Sequence, residues 1–509
     1  MTTAQAVSDA NVEERVLTAY RRWLVLGVVV LTSTLYSMTI LVVSVVLPQM
    51  QGSLSATPDQ ISWAMTANIL ATAIVMPLSG WFSGRFGWRI VMLAALFGFT
   101  SSTLLCGLAG SLEALVVFRA LQGGSGAPLI VLVQAIILSI FPRHQHNMAI
   151  AIYGMAIMFG PILGPIYGGY LSELYNWRWA FFMIVPLGAI SWIALWFILD
   201  DGGRQEKTRF AWIGFLGLAT ALACLQLILD RGERLDWFES REISTEAIVG
   251  IFAFSVFLGH SLLSRAPLLN LRFLLNRNYG LGLIIVCVYG MLNFTPMVML
   301  PPLLKTLSGY PDAIIGILLG WRGMGALIGF FSANWVGRMD SRIGMTAGFL
   351  LQAWSGWVMT NFTIDVSMTE VMMTSFAQGL AVGLIWVPLV NATFSGIDRK
   401  HMAETTTIFH LLRNVGSSIF IALSVMTVMR SAASNFSRLR EFVSPFNEAL
   451  KDYGISAFHG YANLEKLAQV KAELADQAQM IGFLNAFGLY TMMCLLVMPV
   501  IFMLKPAKR

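Results

Sequence analysis

Charge is scarce in this chain. Only 12% of its 509 residues are Asp, Glu, Lys or Arg, about half the share of an ordinary soluble domain. With 57% hydrophobic residues and a mean hydropathy of +0.70, a soluble fold would have too little polar surface to cover itself. Cysteine is scarce too. Cys106, Cys224, Cys287 and Cys494 stand singly in apolar runs with no CxxC, which excludes a disulfide framework, a zinc site or a redox pair. No G-x-x-x-x-G-K-[ST] occurs, so the chain carries no P-loop nucleotide site. It also lacks HExxH, GxSxG and a paired intramembrane Asp, so nothing marks an intramembrane enzyme. No metal or cofactor is implied; His144 and His146 read as a solvated turn. The net charge of +6 fits basic loops beside anionic lipid better than nucleic acid.

What remains is a polytopic all-α membrane protein. A helix needs roughly 20 apolar residues to cross the hydrocarbon. Cutting at polar clusters predicts fourteen spans, at about 23–47, 60–83, 90–110, 112–140, 149–172, 178–199, 211–229, 245–264, 279–300, 314–335, 345–363, 371–395, 403–430 and 481–504. The first run is too long for a signal peptide and is read as a span. With the N-terminus inside, inner segments hold 19 Lys/Arg against 9 Asp/Glu, and outer segments 11 against 18. The positive-inside rule therefore places both termini in the cytoplasm.

The chain repeats itself at an offset of 253. Pro48 matches Pro301, and Pro58-Asp59 matches Pro311-Asp312. Gly84-Arg85 matches Gly337-Arg338, and Arg89 matches Arg342. A looser echo links Gln122-Gly123 to Gln378-Gly379. Spans 1–6 and 9–14 thus read as two copies of one unit, in a 6+2+6 plan with the halves related by a pseudo-twofold axis. The expected organisation is a cytoplasmic tail (1–22), a first half (23–200), an inserted two-helix hairpin with loops (201–278), a second half (279–504) including an outer loop (431–480), and a tail (505–509).

Several motifs carry a family likeness. "GWFSGRFGWR" (80–89), "FRALQGGSGAP" (118–128) and "GPILGPIYGG" (160–169) resemble the loop 2–3, helix-4 and helix-5 antiporter motifs of the major facilitator superfamily. Fourteen spans and "LDRGERLDWF" (229–238) resemble its fourteen-spanner drug:proton antiporters, in particular bacterial multidrug exporters of that family. The resemblance implies the major facilitator fold, alternating access and efflux of small amphipathic organic compounds from the bacterial inner membrane. It implies proton coupling, with a periplasmic adaptor and an outer-membrane channel as partners. The chain departs from the pattern at Gly84, where the loop motif has Asp, and at Thr39, where relatives have an acid in helix 1.

The candidate residues follow. Gly160, Gly164 and Gly168 share one helix face and, with Pro161, Pro165 and Gly169, are expected to form a tight bent seam with the other half, against the plainer alternative of ordinary packing. Arg85, Arg89, Arg338 and Arg342 are read as a cytoplasmic latch that caps helix C-termini, or as plain topology signals. Arg119, Arg322 and Arg413 lie inside spans, where each costs about 2.5–3.5 kcal/mol on the insertion scale. They need an anion, supplied by end-of-span carboxylates, backbone carbonyls or the substrate. Gln122, Glu404 and His410 complete the set; Glu404 or His410 could replace the absent helix-1 acid in coupling. Loop 431–480 carries helical spacing over 463–481, read as a short outer amphipathic helix and a surface for the adaptor. The missing acid and buried arginines also leave open a dedicated exporter of one anionic metabolite, siderophore-like or fatty-acid-like.

Overall fold

The computed structural model describes residues 19–56, 58–200, 210–264, 267–336, 340–398, 401–443 and 464–505. The tails beyond them, Arg338 and the middle of loop 431–480 lie outside the described residues. The first half comprises α1 (Ala19–Ser53), α2 (Pro58–Val75), α3 (Leu78–Phe86), α4 (Trp88–Leu108), α5 (Leu112–Ile140), α6 (His146–Leu174), α7 (Trp179–Phe182) and α8 (Ile184–Ile198). The inserted hairpin is α9 (Trp212–Arg231) and α10 (Arg241–Leu263). The second half comprises α11 (Arg277–Pro302), α12 (Asp312–Val336), α13 (Ser341–Met359), α14 (Met368–Phe394), α15 (Met402–Arg440), α16 (Leu464–Leu496) and α17 (Met498–Phe502).

Apolar sequence surrounded by lipid must satisfy its backbone internally, which leaves helices. Each of the fourteen expected segments falls on helix. Among the described residues, eleven helices are long and apolar enough to cross a membrane, or twelve with α2 and α3 taken as one span bent by 53°. The bend lies at Pro77, which cannot donate a backbone N–H. The remaining two segments are α6 and α13.

Packing repeats as the sequence does. α1 lies on α6 as α11 lies on α15; α2 lies on α5 as α12 lies on α14; α4 lies on α5 and α8 as α13 lies on α14 and α16. The halves meet where α12 touches α6, and where α15 touches α5 and α3. The hairpin leans on α2 through α9, with Thr66 donating to Asp230 at 2.7 Å.

The outer loop differs from expectation. Helix does begin at Leu464, but it is no separate element: α16 runs unbroken into the last span. α15 likewise continues to Arg440. At 1.5 Å per residue these helices are about 50–60 Å long, well beyond the ~30 Å hydrocarbon core. Their polar ends project together, tied by Asn485 donating to Ser431 at 2.7 Å. Polar composition marks where the membrane ends, not where the helix does.

Candidate functional site

The glycine face of α6 has a different partner from the one expected. A Cβ on Gly160 would stand 2.7 Å from Ser37 Cβ, and one on Gly164 2.7 Å from Met38 O; one on Gly168 would overlap Val42. The tight seam therefore joins α6 to α1 inside one half. Helical spacing fixes a common face but not what it meets. Other α6 residues meet the second half: Gly154 abuts Phe330 and Trp386, and Met155 and Phe159 line a crevice with Gly323, Ala326 and Leu327 of α12. Gly169 lies against Val45 of α1. The side chains of Pro161 and Pro165 lie outside the described residues.

Arg119 and Arg322 each sit within one half. Arg119 Nε donates to Ala64 O at 3.0 Å, and Nη1 to Gln122 Oε1 and to Thr39 O at 3.5 Å. Gln122 Nε2 in turn donates to Thr103 Oγ1 at 2.7 Å. Thr39 thus meets Arg119 with its backbone carbonyl. Arg322 donates to Gln378 Oε1 at 3.1 Å and to Asn293 O and Oδ1 at 2.5 and 2.8 Å. Gln378 Nε2 donates to Ser355 Oγ at 2.9 Å. Each half therefore holds one Arg–Gln–hydroxyl strut across its second, fourth and third spans.

Arg413 is placed differently. It is 5% exposed, on α15 at the joint between halves. Its one side-chain hydrogen bond among the described residues is a 3.3 Å contact from Nη2 to Asn414 Oδ1, and its Nε has no acceptor. The guanidinium lies 5.7 Å from the Trp386 ring, with Tyr153, Tyr289 and Tyr36 as electrostatic neighbours. One turn earlier, His410 Nε2 meets Gln134 Oε1 of α5 across the joint at 2.9 Å. His410 Nδ1, Gln134 Nε2 and Trp386 Nε1 are buried and have no partners among the described residues. Among the described residues no carboxylate pairs with Arg119, Arg322 or Arg413.

Glu404 is not part of this cluster. It precedes His410 by six residues, about 9 Å along the helix, and accepts from Asn270 N at 2.6 Å. Gly80 of α3 packs on its backbone. Two latch arginines cap helices. Arg89 Nη2 donates to Trp196 O at 2.7 Å near the end of α8, and Arg342 Nη2 donates to Leu504 O just past α17. Both contacts stay within one half, joining its third span to its sixth. Arg85 lies over the Trp81 and Phe86 rings. His146 meets Phe141 O at 2.9 Å, and no group of three or more metal-ligating side chains occurs among the described residues.

Gln134, Trp386, Tyr289 and Tyr153 were not singled out by sequence. Two signals could have found all but Tyr153. Tyr36 and Tyr289 share the offset of 253, and Gln134 and Trp386 are polar-tipped residues far from span ends, where an aromatic-belt role does not apply.

Two repeated six-helix halves meeting at a buried polar cluster define a polytopic transporter. The chain belongs to the major facilitator superfamily, whose sequence model matches residues 29–421. It is a transporter rather than an enzyme. It is 30% identical over 476 residues to "Multidrug export protein EmrB" of Haemophilus influenzae, covering 91% of this chain and 92% of that one. It is 29% identical over 478 residues to "Fatty acid resistance protein FarB" of Neisseria gonorrhoeae, with the same coverage. Among solved structures, the human organic anion transporter MFSD10 superposes with a TM-score of 0.58 at 13% identity, covering 93% of this chain and 99% of that one. The proton:xylose symporter XylE superposes at 0.57 with 14% identity, covering 93% and 95%. At these identities the two structures speak for the fold alone.

Proposed function

We propose that the protein is a secondary active exporter. It carries small amphipathic organic compounds outward across the bacterial inner membrane, by rocking its two halves about a site between them. Fourteen spans, cytoplasmic termini and proton drive complete this reading, and the relatives named for multidrug export and fatty acid resistance support it. The observation that carries it is the joint between halves. There, buried polar side chains from both halves, Gln134 and His410, touch. Such groups are costly in a membrane and mark transport paths. The projecting ends of α15 and α16 offer a surface for a periplasmic adaptor, with an outer-membrane channel beyond it.

A second reading, a dedicated exporter of one anionic metabolite, is favoured by Arg413, which faces the joint without a carboxylate. Expression in an efflux-deficient bacterial host tests both. The host is challenged with cationic, neutral and acidic amphipathic toxins, beside Arg413→Gln and Arg119→Ala chains. Protection against several chemically unrelated compounds supports the multidrug reading. Protection against acidic compounds alone supports the second. No protection from well-expressed protein contradicts the first.

A further inference from the structure

We propose that Arg413, Gln134, His410 and Trp386 form a receptor for the carboxylate head of an amphiphile whose apolar tail lies in the crevice between α6 and α12. This inference rests on the transport reading above and names the chemistry of its central site. Three observations carry it. The first is the contrast among the buried arginines. Arg119 and Arg322 each make three acceptor contacts to carbonyl oxygens of the protein, whereas Arg413 makes one long contact to its chain neighbour. A guanidinium presents a planar fork that matches the two oxygens of a carboxylate, and Arg413 retains most of that fork.

The second is convergence. Arg413 Nε, Gln134 Nε2 and Trp386 Nε1 are three N–H donors without an acceptor among the described residues. These groups share one locality. Trp386 lies 5.7 Å from the Arg413 guanidinium and its ring centroid 6.2 Å from that of His410, and His410 holds Gln134. Buried donors are seldom left unmet, so a cluster of them around one unpaired cation suits an oxygen-rich anion. A cationic head would meet a like charge there.

The third is the adjoining apolar space. Gly154 touches Trp386, and the next residue, Met155, lines with Phe159, Gly323, Ala326 and Leu327 a narrow crevice of about 140 Å³, which has to widen as the halves part before it takes an alkyl tail. Head site and tail crevice thus adjoin at Gly154, on the surface along which the halves part.

The test is equilibrium binding to the purified full-length chain in lipid nanodiscs, using dodecanoate, dodecanol and dodecyltrimethylammonium. Dodecanoate is expected to bind about tenfold or more tighter than dodecanol, and the ammonium weakest, because a buried charge-assisted pair is worth at least that factor. Arg413→Gln should bring dodecanoate to the level of dodecanol. Arg413→Lys, which keeps the charge but not the fork, should retain part of the preference. Gln134→Leu should cut the preference several-fold and decides the matter if Arg413→Gln does not fold. Equal binding of the three probes, or a preference that survives Arg413→Gln, or Gln134→Leu in its place, overturns the site. Binding does not require transport. An Arg413-dependent preference in a chain that exports nothing would overturn the transport reading alone. Export without a preference would overturn the site alone.

Discussion

Arg322 stands in the second half where Asn68 stands in the first. The backbone carbonyl of each is pressed against a glycine of the facing helix, Gly379 for Arg322 and Gly123 for Asn68. The neighbouring glutamines, Gln378 and Gln122, bind hydroxyls of the third spans alike. The arginine itself has changed helices: it comes from the fourth span in one half and the second span in the other. The strut is therefore a property of the helix triad, not of one sequence position.

This exchange predicts a rescue. Arg119→Ser strands the Gln122 carbonyl and should cost about 1–3 kcal/mol for that group alone, read as a lower melting temperature in detergent. Adding Asn68→Arg rebuilds the second-half arrangement and should recover part of the loss. Recovery should be incomplete, because the first half has Ile40 where the second has Asn293. A double variant no more stable than Arg119→Ser would show that the two struts are not equivalent.

Gly123→Ala and Gly379→Ala should destabilise alike. Replacing an interior helical glycine with alanine normally gains about 1 kcal/mol. Here the new methyl would overlap the facing backbone carbonyl, which cannot step aside, and overpacking costs about 1–3 kcal/mol or more. Gly27→Ala, with nothing within 4 Å of its Cβ, is the control and should be neutral or mildly stabilising. Thermal unfolding of the three variants decides it.

Arg89→Ala and Arg342→Ala should act locally and in parallel. Each removes a cation from a helix C-terminus, an effect of about 0.3–1 kcal/mol. Hydrogen exchange should quicken in the last turn of α8 for the first variant and around Leu504 for the second, with no effect on the opposite half. Loss of protection across the joint would instead assign these residues a latch between halves.

Among the described residues three side-chain hydrogen bonds bridge the joint: His410 with Gln134, Asn391 with Asn147, and Asn414 Nδ2 donating to Met76 Sδ at 3.8 Å. A buried hydrogen bond contributes about 1 kcal/mol net. Gln134→Leu combined with Asn391→Ala should therefore shift the balance of conformers by about five- to thirtyfold. Spin labels on α3 and on the start of α15 should report longer distances. Unchanged distances would mean that these two hydrogen bonds do not set how the halves dock.

Much of this architecture was legible in the sequence. Hydropathy marked every helix, because the lipid constraint acts residue by residue. The offset of 253 gave the repeat, and Arg119, Arg322 and Arg413 stood out as charges inside apolar runs. The partners were not legible. Gly160, Gly164 and Gly168 announce a close helix contact, but α1 rather than the other half fills it. Nothing in the sequence separates Arg413, open to the joint, from Arg119, satisfied by carbonyls of neighbouring helices. Gln134 reaches His410 across 276 positions, a pairing set by how the halves dock. The continuity of α15 to Arg440 and of α16 from Leu464 was hidden because both helices become polar where they leave the membrane.

Gradient-driven export between two rocking halves is the proposal that most needs testing. The most direct measurement is substrate flux in proteoliposomes holding the purified chain under an imposed pH gradient. A fluorescent amphiphile should accumulate in vesicles whose protein is oriented cytoplasmic face outward, only while the gradient lasts. A disulfide between α3 and the start of α15 should stop the flux, and reduction should restore it. Flux that ignores the gradient, or that persists with the halves cross-linked, would contradict the proposal.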